Sequence, residues 1–286
     1  MPRVGLAVSP MISSCLQTLF FLTVLALFPL RAYAGESPLP SSLQGAKTLI
    51  QQVDGPAFQS LFEKTLLKIS SSPLAPLARY QPEGKIIEFG ANTKRYQDEY
   101  VYITSIMERA DRPNFEQYLT VLVALSIANE KAHFEQDIGG SLDDFFIYQK
   151  QQDLRRMCAL YALQQHVSDV VMLEMAVKLE RYFLGLGSPQ GVRAVRAALD
   201  KMGLKETYED FRQGLLTGDS NRFQSALEAM RKDRSALNIS NISSCKNGGA
   251  VSLPSDVIRR ATAPTHLGEP APASPSISEM PRSYNE

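Results

Sequence analysis

Glu130 and His133 stand three residues apart in a stretch patterned as a helix. That E-x-x-H spacing is the one with which di-iron carboxylate bundles hold metal, but such a centre also takes a second E-x-x-H and two further glutamates from facing helices. His166 is the only other histidine in a helix-patterned stretch, and Leu163 occupies the position where its glutamate belongs; His266 falls near the C-terminus. On ligand count, His133 reads as a satisfied core histidine, pointing into the apolar face with Glu130 at its edge. No metal and no cofactor is assigned.

Nucleophile and phosphate signatures are missing from the sequence. It contains no G-x-S-x-G, and Cys158 sits on an apolar helical face without a neighbouring base. Gly185-x-Gly187 closes a helix instead of following a strand, so it is punctuation and not a phosphate loop. No catalytic residue is assigned. The absence of tryptophan disfavours sites built on indole faces.

A second pattern concerns polar residues inside apolar faces. Ser126, Asn129 and His133 form a row within one helical arc, and Gln164 and Ser168 interrupt the main apolar face of another. A buried polar group without a partner costs about 1–3 kcal/mol. The two rows are therefore expected to meet, either bonding to each other and fixing helix register or lining a small polar cavity.

The cysteines carry a covalent expectation. Cys15 lies in a leader, which leaves Cys158 and Cys245, an even pair that suggests a disulfide in an oxidising compartment. Asn238 and Asn241 begin N-x-S sequons, which matter only in a eukaryotic secretory route.

The elements that must position these residues are helices. From Asp153 to Leu184, Leu154, Met157, Leu160, Tyr161, Val171, Met172, Met175, Leu179, Tyr182 and Phe183 fall on one broad face at 100° per residue. Only a strip with Arg155, Asp169 and Glu180 reads as polar. A helix apolar around most of its circumference is surrounded by other elements, so this one is read as central. Asn114 with Gln117 forms a capping-box pattern opening a helix to about Gln136. Other helices are expected from Gly55-Pro56 to about Ile69, around Tyr96 to Met107, from Ser188-Pro189 to Met202, from Glu206 to Leu216 and from Asn221 to Leu237. Lys85 to Phe89 is a short strand with little to pair with, and Ser70 to Gly84 is a connector.

The expected fold is all-α, an irregular helical bundle around a long central helix with a disordered C-terminal tail. A short α-solenoid is the alternative, although no fixed period recurs. Residues 1–34 read as a signal peptide, with an apolar run from Leu16 to Leu30 ahead of Ala32-Tyr33-Ala34. Residues 35–237 form the helical domain. Residues 238–286 are a mostly disordered Ser/Pro/Ala-rich tail, too poor in large apolar groups to offset ordering entropy.

The 286 residues carry 30 basic and 30 acidic side chains, with no basic block to attract nucleic acid. No stable membrane span is expected after signal cleavage. The chain reads as an exported protein, periplasmic or secreted, with a structural or protein-interaction role and another protein as partner. The alternatives are a metal- or small-molecule-dependent enzyme using the Glu130/His133 region, and an apolar-ligand carrier.

Overall fold

A computed structural model describes residues 39–70, 72, 77–90, 93–219, 221–229 and 251–264. The architecture is a helical bundle with a small sheet on one side. The first helix, α1 (Leu39–Lys64), begins well before Gly55 and buries Leu39, Ala46, Leu49 and Ile50 as well as Phe58 and Leu61. It breaks at Asp54, whose backbone leaves the helical region (φ −154°, ψ 41°) two residues ahead of Pro56. Proline supplies no N–H and its ring collides with the preceding turn, which accounts for the kink. The Asp54 carboxylate pairs with Lys178 Nζ at 2.6 Å and holds the bend against a neighbouring helix.

Residues 66–69, expected to continue that first helix, form β1 (Leu66–Ser70) together with Ser70, expected to open the connector. The expected connector contains β2 (Ala78–Gln81), and β3 (Ile86–Gly90) follows a 3₁₀ turn at Pro82–Gly84. The sheet order is β1-β3-β2. β3 pairs parallel with β1, Lys68 opposite Glu88, and antiparallel with β2, Arg79 opposite Glu88. The KIIEF segment thus has partners on both sides, because the strand before it and the strand after α1 both come back to it. Its alternation turns Ile87 and Phe89 into the core.

α2 (Thr93–Val101) runs into a π-turn at Tyr102–Ile106. α3 (Phe115–Ile138) starts where Asn114 Oδ1 accepts the N–H groups of Glu116 (2.9 Å) and Gln117 (3.2 Å). The reciprocal half of the capping box is supplied from elsewhere: the Asn114 N–H donates to Gln190 Oε1 at 3.0 Å. From Tyr118 to Ala128 nearly every side chain of α3 is buried.

α4 (Ser141–Lys150) is a separate short helix, and Gln152, at φ 59°, turns the chain into α5 (Leu154–Gly185). Asp153 caps α5 by accepting the Arg156 N–H. α6 (Pro189–Lys201), α7 (Lys205–Thr217) and α8 (residues 221–229) follow. α3 packs against α1, α5 and α6, and these four helices enclose the main core.

A last helix, α9 (Ser255–Thr262), lies inside the stretch assigned to the tail. It returns to α4 and α5, where Val257 and Ala261 complete a second apolar cluster with Tyr148, Met157, Cys158 and Leu160. Residues 238–250 and 265–286 of that stretch lie outside the described residues, as does the leader with its cleavage pattern.

Candidate functional site

The polar residues singled out in the sequence lie along the seam between α3 and α5. Asn129 Nδ2 donates to Ser168 Oγ at 3.0 Å, so the two rows touch directly at this point. Ser168 Oγ in turn donates to Gln165 O within its own helix. His133 sits half-buried between two amides, Nδ1 at 3.0 Å from Gln136 Oε1 and Nε2 at 3.3 Å from Gln165 Nε2. Ser126 does not cross the seam; its hydroxyl donates to Leu122 O one turn earlier.

Gln164 reaches away from the other row. Its Nε2 donates to Ser141 O (3.1 Å) and Ser141 Oγ (3.0 Å), which anchors the start of α4. Gln136 fills the remaining place. It is fully buried, and its Nε2 donates to Gln164 O at 3.1 Å and Ala261 O at 3.3 Å. One amide thereby joins α3, α5 and α9. Gln136 and Gln165 were not expected in this seam, and Ser141 was expected only as the cap of the following helix. Gln136 and His133 are three apart, and that spacing on a helix was the available signal.

Glu130, one turn before His133, turns away from this seam toward β2. It is buried, 7 % exposed, whereas His133 is only partly so, the reverse of the helical-wheel expectation. Its Oε2 accepts the Tyr80 N–H at 2.7 Å, on the β2 edge that faces away from β3. Burial pushes the Glu130 carboxyl above its ordinary value, against the opposing pull of His133, the Tyr80 N–H and Arg79. Tyr80 closes the arrangement through its hydroxyl, which donates to Asp137 at 2.7 Å. Among the described residues no three His, Cys, Asp or Glu side chains gather into a metal-holding group.

The strip on α5 read as polar contains two buried carboxylates, Asp169 and Glu180. Glu180 is 1 % exposed and is ringed by partners from the next two helices. Arg196 of α6 reaches Oε1 at 3.1 Å, while Arg212 Nε (2.5 Å) and the Tyr208 hydroxyl (2.8 Å) of α7 reach Oε2. A carboxylate is tolerated in such a place only when it is paired and hydrogen-bonded. Its partners lie 16 to 32 residues downstream, so no local pattern announces them. Burial and the adjacent Glu180 charge raise the Tyr208 phenol above its ordinary range.

A third polar group surrounds the end of α2. The Tyr118 hydroxyl donates to buried Glu99, Lys201 Nζ lies 3.7 Å from the same carboxylate, and Tyr102 donates to Asp200. An open recess of about 410 Å³ here is lined by Lys94, Arg95, Asp98, Glu99 and Lys201. Lys94 is already paired with Asp98 at 2.8 Å, and Lys201 lies over the Tyr102 ring at 5.0 Å.

Of the cysteine pair, Cys158 is buried in the second apolar cluster, and Cys245 lies outside the described residues. Arg260 fastens the same region, with Nε and Nη2 gripping the Asp144 carboxylate at 2.8 and 2.9 Å.

The chain is therefore a helical bundle whose buried polar groups knit its elements together. No protein-family model, curated protein or solved structure matches it. Among the described residues no helix is long and apolar enough to cross a membrane.

Proposed function

We propose that this chain is an exported helical protein with a structural or protein-interaction role, holding a surface in shape for another protein. The observation that carries this reading is the use to which the buried polar groups are put. Glu130 ties α3 to β2, Gln136 ties α3 to α5 and α9, Gln164 ties α5 to α4, and Glu180 ties α5 to α6 and α7. Each bond spans two elements, and together they set the elements in register. Satisfied networks of this kind rigidify a core and specify one arrangement.

Export and a Cys158–Cys245 bond belong to the same proposal. The leader pattern in residues 1–34 supports export. The returning α9 supports the bond: Leu253 packs against the cluster that holds Cys158. Cys245 is eight residues before Leu253, and a chain of that length spans at most about 28 Å.

Affinity capture from the native host, with a tag placed so as to spare the C-terminus, tests the role. A specific protein partner is expected. A stoichiometric metal in the purified protein, lost in Glu130→Ala, would overturn the reading in favour of an enzyme. N-terminal sequencing is expected to start near Gly35, and non-reducing peptide mapping to join the two cysteine peptides.

A further inference from the structure

The sheet treats its two outer edges differently. On β2, the outward N–H of Tyr80 is bonded to Glu130 Oε2, and α3 covers that edge. On β1, the Leu66 N–H donates inward to Lys85 O at 3.0 Å. Strand alternation then directs the N–H and C=O groups of Leu67 and Ile69 outward. No partner for those N–H groups exists among the described residues. Leu66 is 61 % exposed and Ile69 37 % exposed on this edge, while Leu67 packs against the core. An open edge bearing apolar side chains is a template for one more strand.

We propose that β1 is a docking edge for an extended segment of a partner protein, with an acidic side chain set among apolar ones. This inference rests on the protein-interaction role proposed above. The chemistry of the occupant is read from the neighbour that β1 already has. Ile86-Ile87-Glu88-Phe89 lies opposite Leu66-Leu67-Lys68-Ile69, residue for residue, which puts Glu88 in register with Lys68 while its carboxylate is held by Arg79 and Gln81 of β2. Lys68 is exposed and makes no ion pair among the described residues, because Glu88 is taken by Arg79, so its ammonium is open to a carboxylate on the outer side. Apolar residues opposite Leu67 and Ile69 would extend the inner face on which Ile87 and Phe89 are buried. A second copy of the chain fits poorly. Antiparallel pairing that matches Leu67 with Ile69 of the copy sets Lys68 against itself, and like charges directly opposite are destabilising.

The test uses the full exported chain and a capped peptide copying residues 85–90, Lys-Ile-Ile-Glu-Phe-Gly. At millimolar peptide, amide exchange at Leu67 and Ile69 is expected to slow. Replacing the peptide glutamate by lysine should weaken binding roughly fivefold, the effect of a cross-strand charge pair of about 1 kcal/mol. Ile69→Pro removes an outward N–H without touching the ladder to β3. It should abolish binding while the amide spectrum stays that of the folded protein, and Lys68→Glu should reverse the peptide preference. Unchanged exchange at Leu67 and Ile69, or equal affinity for both peptides, would overturn the inference. So would a dimer paired through β1 in the absence of peptide. If wild type and Ile69→Pro capture the same protein from the host, the edge inference fails and the interaction role stands. If neither captures a protein while the peptide still protects the edge, the role fails and the edge stands.

Discussion

Arg212 Nε stands 2.5 Å from Glu180 Oε2 and joins α7 to the second half of α5 in a place nearly closed to water. Arg196 meets the other oxygen of the same carboxylate from a half-exposed position. Removing one partner from a buried ion pair leaves an under-compensated charge and costs on the order of 3 kcal/mol. A solvent-screened partner contributes under about 1 kcal/mol. Arg212→Ala is therefore expected to lower the denaturant midpoint far more than Arg196→Ala. Equal shifts for the two variants would remove Arg212 from this role.

Glu130 gives the fold a pH dependence with a definite sign. Its carboxyl is raised above 4.5 in the folded chain, so the folded state holds this proton more tightly than the unfolded state. The resulting stabilisation is complete below the unfolded value and is lost as pH rises through the folded one. Glu130→Gln keeps an oxygen for the Tyr80 N–H and removes the titration. Urea midpoints taken from about pH 4 to pH 8 should show wild type declining relative to the variant. A constant difference across that range would contradict the assignment.

Gly214 of α7 lies where α8 passes closest. A methyl added there would meet Phe223 N at 2.6 Å and Phe223 Cα at 2.8 Å, both backbone atoms. Helix propensity alone favours alanine over glycine by about 1 kcal/mol. Overpacking against backbone costs about 1–3 kcal/mol. Gly214→Ala is expected to destabilise, by thermal melting, and a rise in Tm would show that the two helices stand further apart.

The anchoring of α9 predicts a protected island near the C-terminus. Arg260 grips Asp144 through two nitrogens, and Gln136 holds the Ala261 carbonyl. Limited proteolysis of wild type should leave 251–264 attached to the bundle. Arg260→Ala is expected to speed amide exchange in 255–262 at least several-fold, bidentate charge-assisted bonds being among the stronger ones. Unaltered exchange would mean that the Gln136 bond and the apolar contacts of Val257 and Ala261 hold the helix without Arg260.

The long helices were legible in the sequence because their caps and their dense apolar runs are local. α3 with its Asn114 cap and α5 with its Asp153 start appear close to their expected bounds. The sheet was not legible. β1 continues the apolar run of α1, and β2 is four residues long between prolines, so only pairing with β3 makes either a strand. The buried Glu180 was missed because its counter-charges belong to later helices. α9 was hidden by the composition around it, although Val257 and Ala261 already stand at i and i+4.

Gln136 and Ala261 are 125 residues apart in sequence, yet one amide joins them. A ribosome emits roughly 5–20 residues per second. The α3–α5 seam therefore waits about 5–20 seconds after residue 164 before the helix that completes it is made. During that interval Met157, Cys158 and Leu160 have no lid, and the growing chain offers them to whatever is nearby. A stop codon anywhere before residue 255 would make that transient exposure permanent. Truncation so close to the end should read out as lost solubility, not as a trimmed tail.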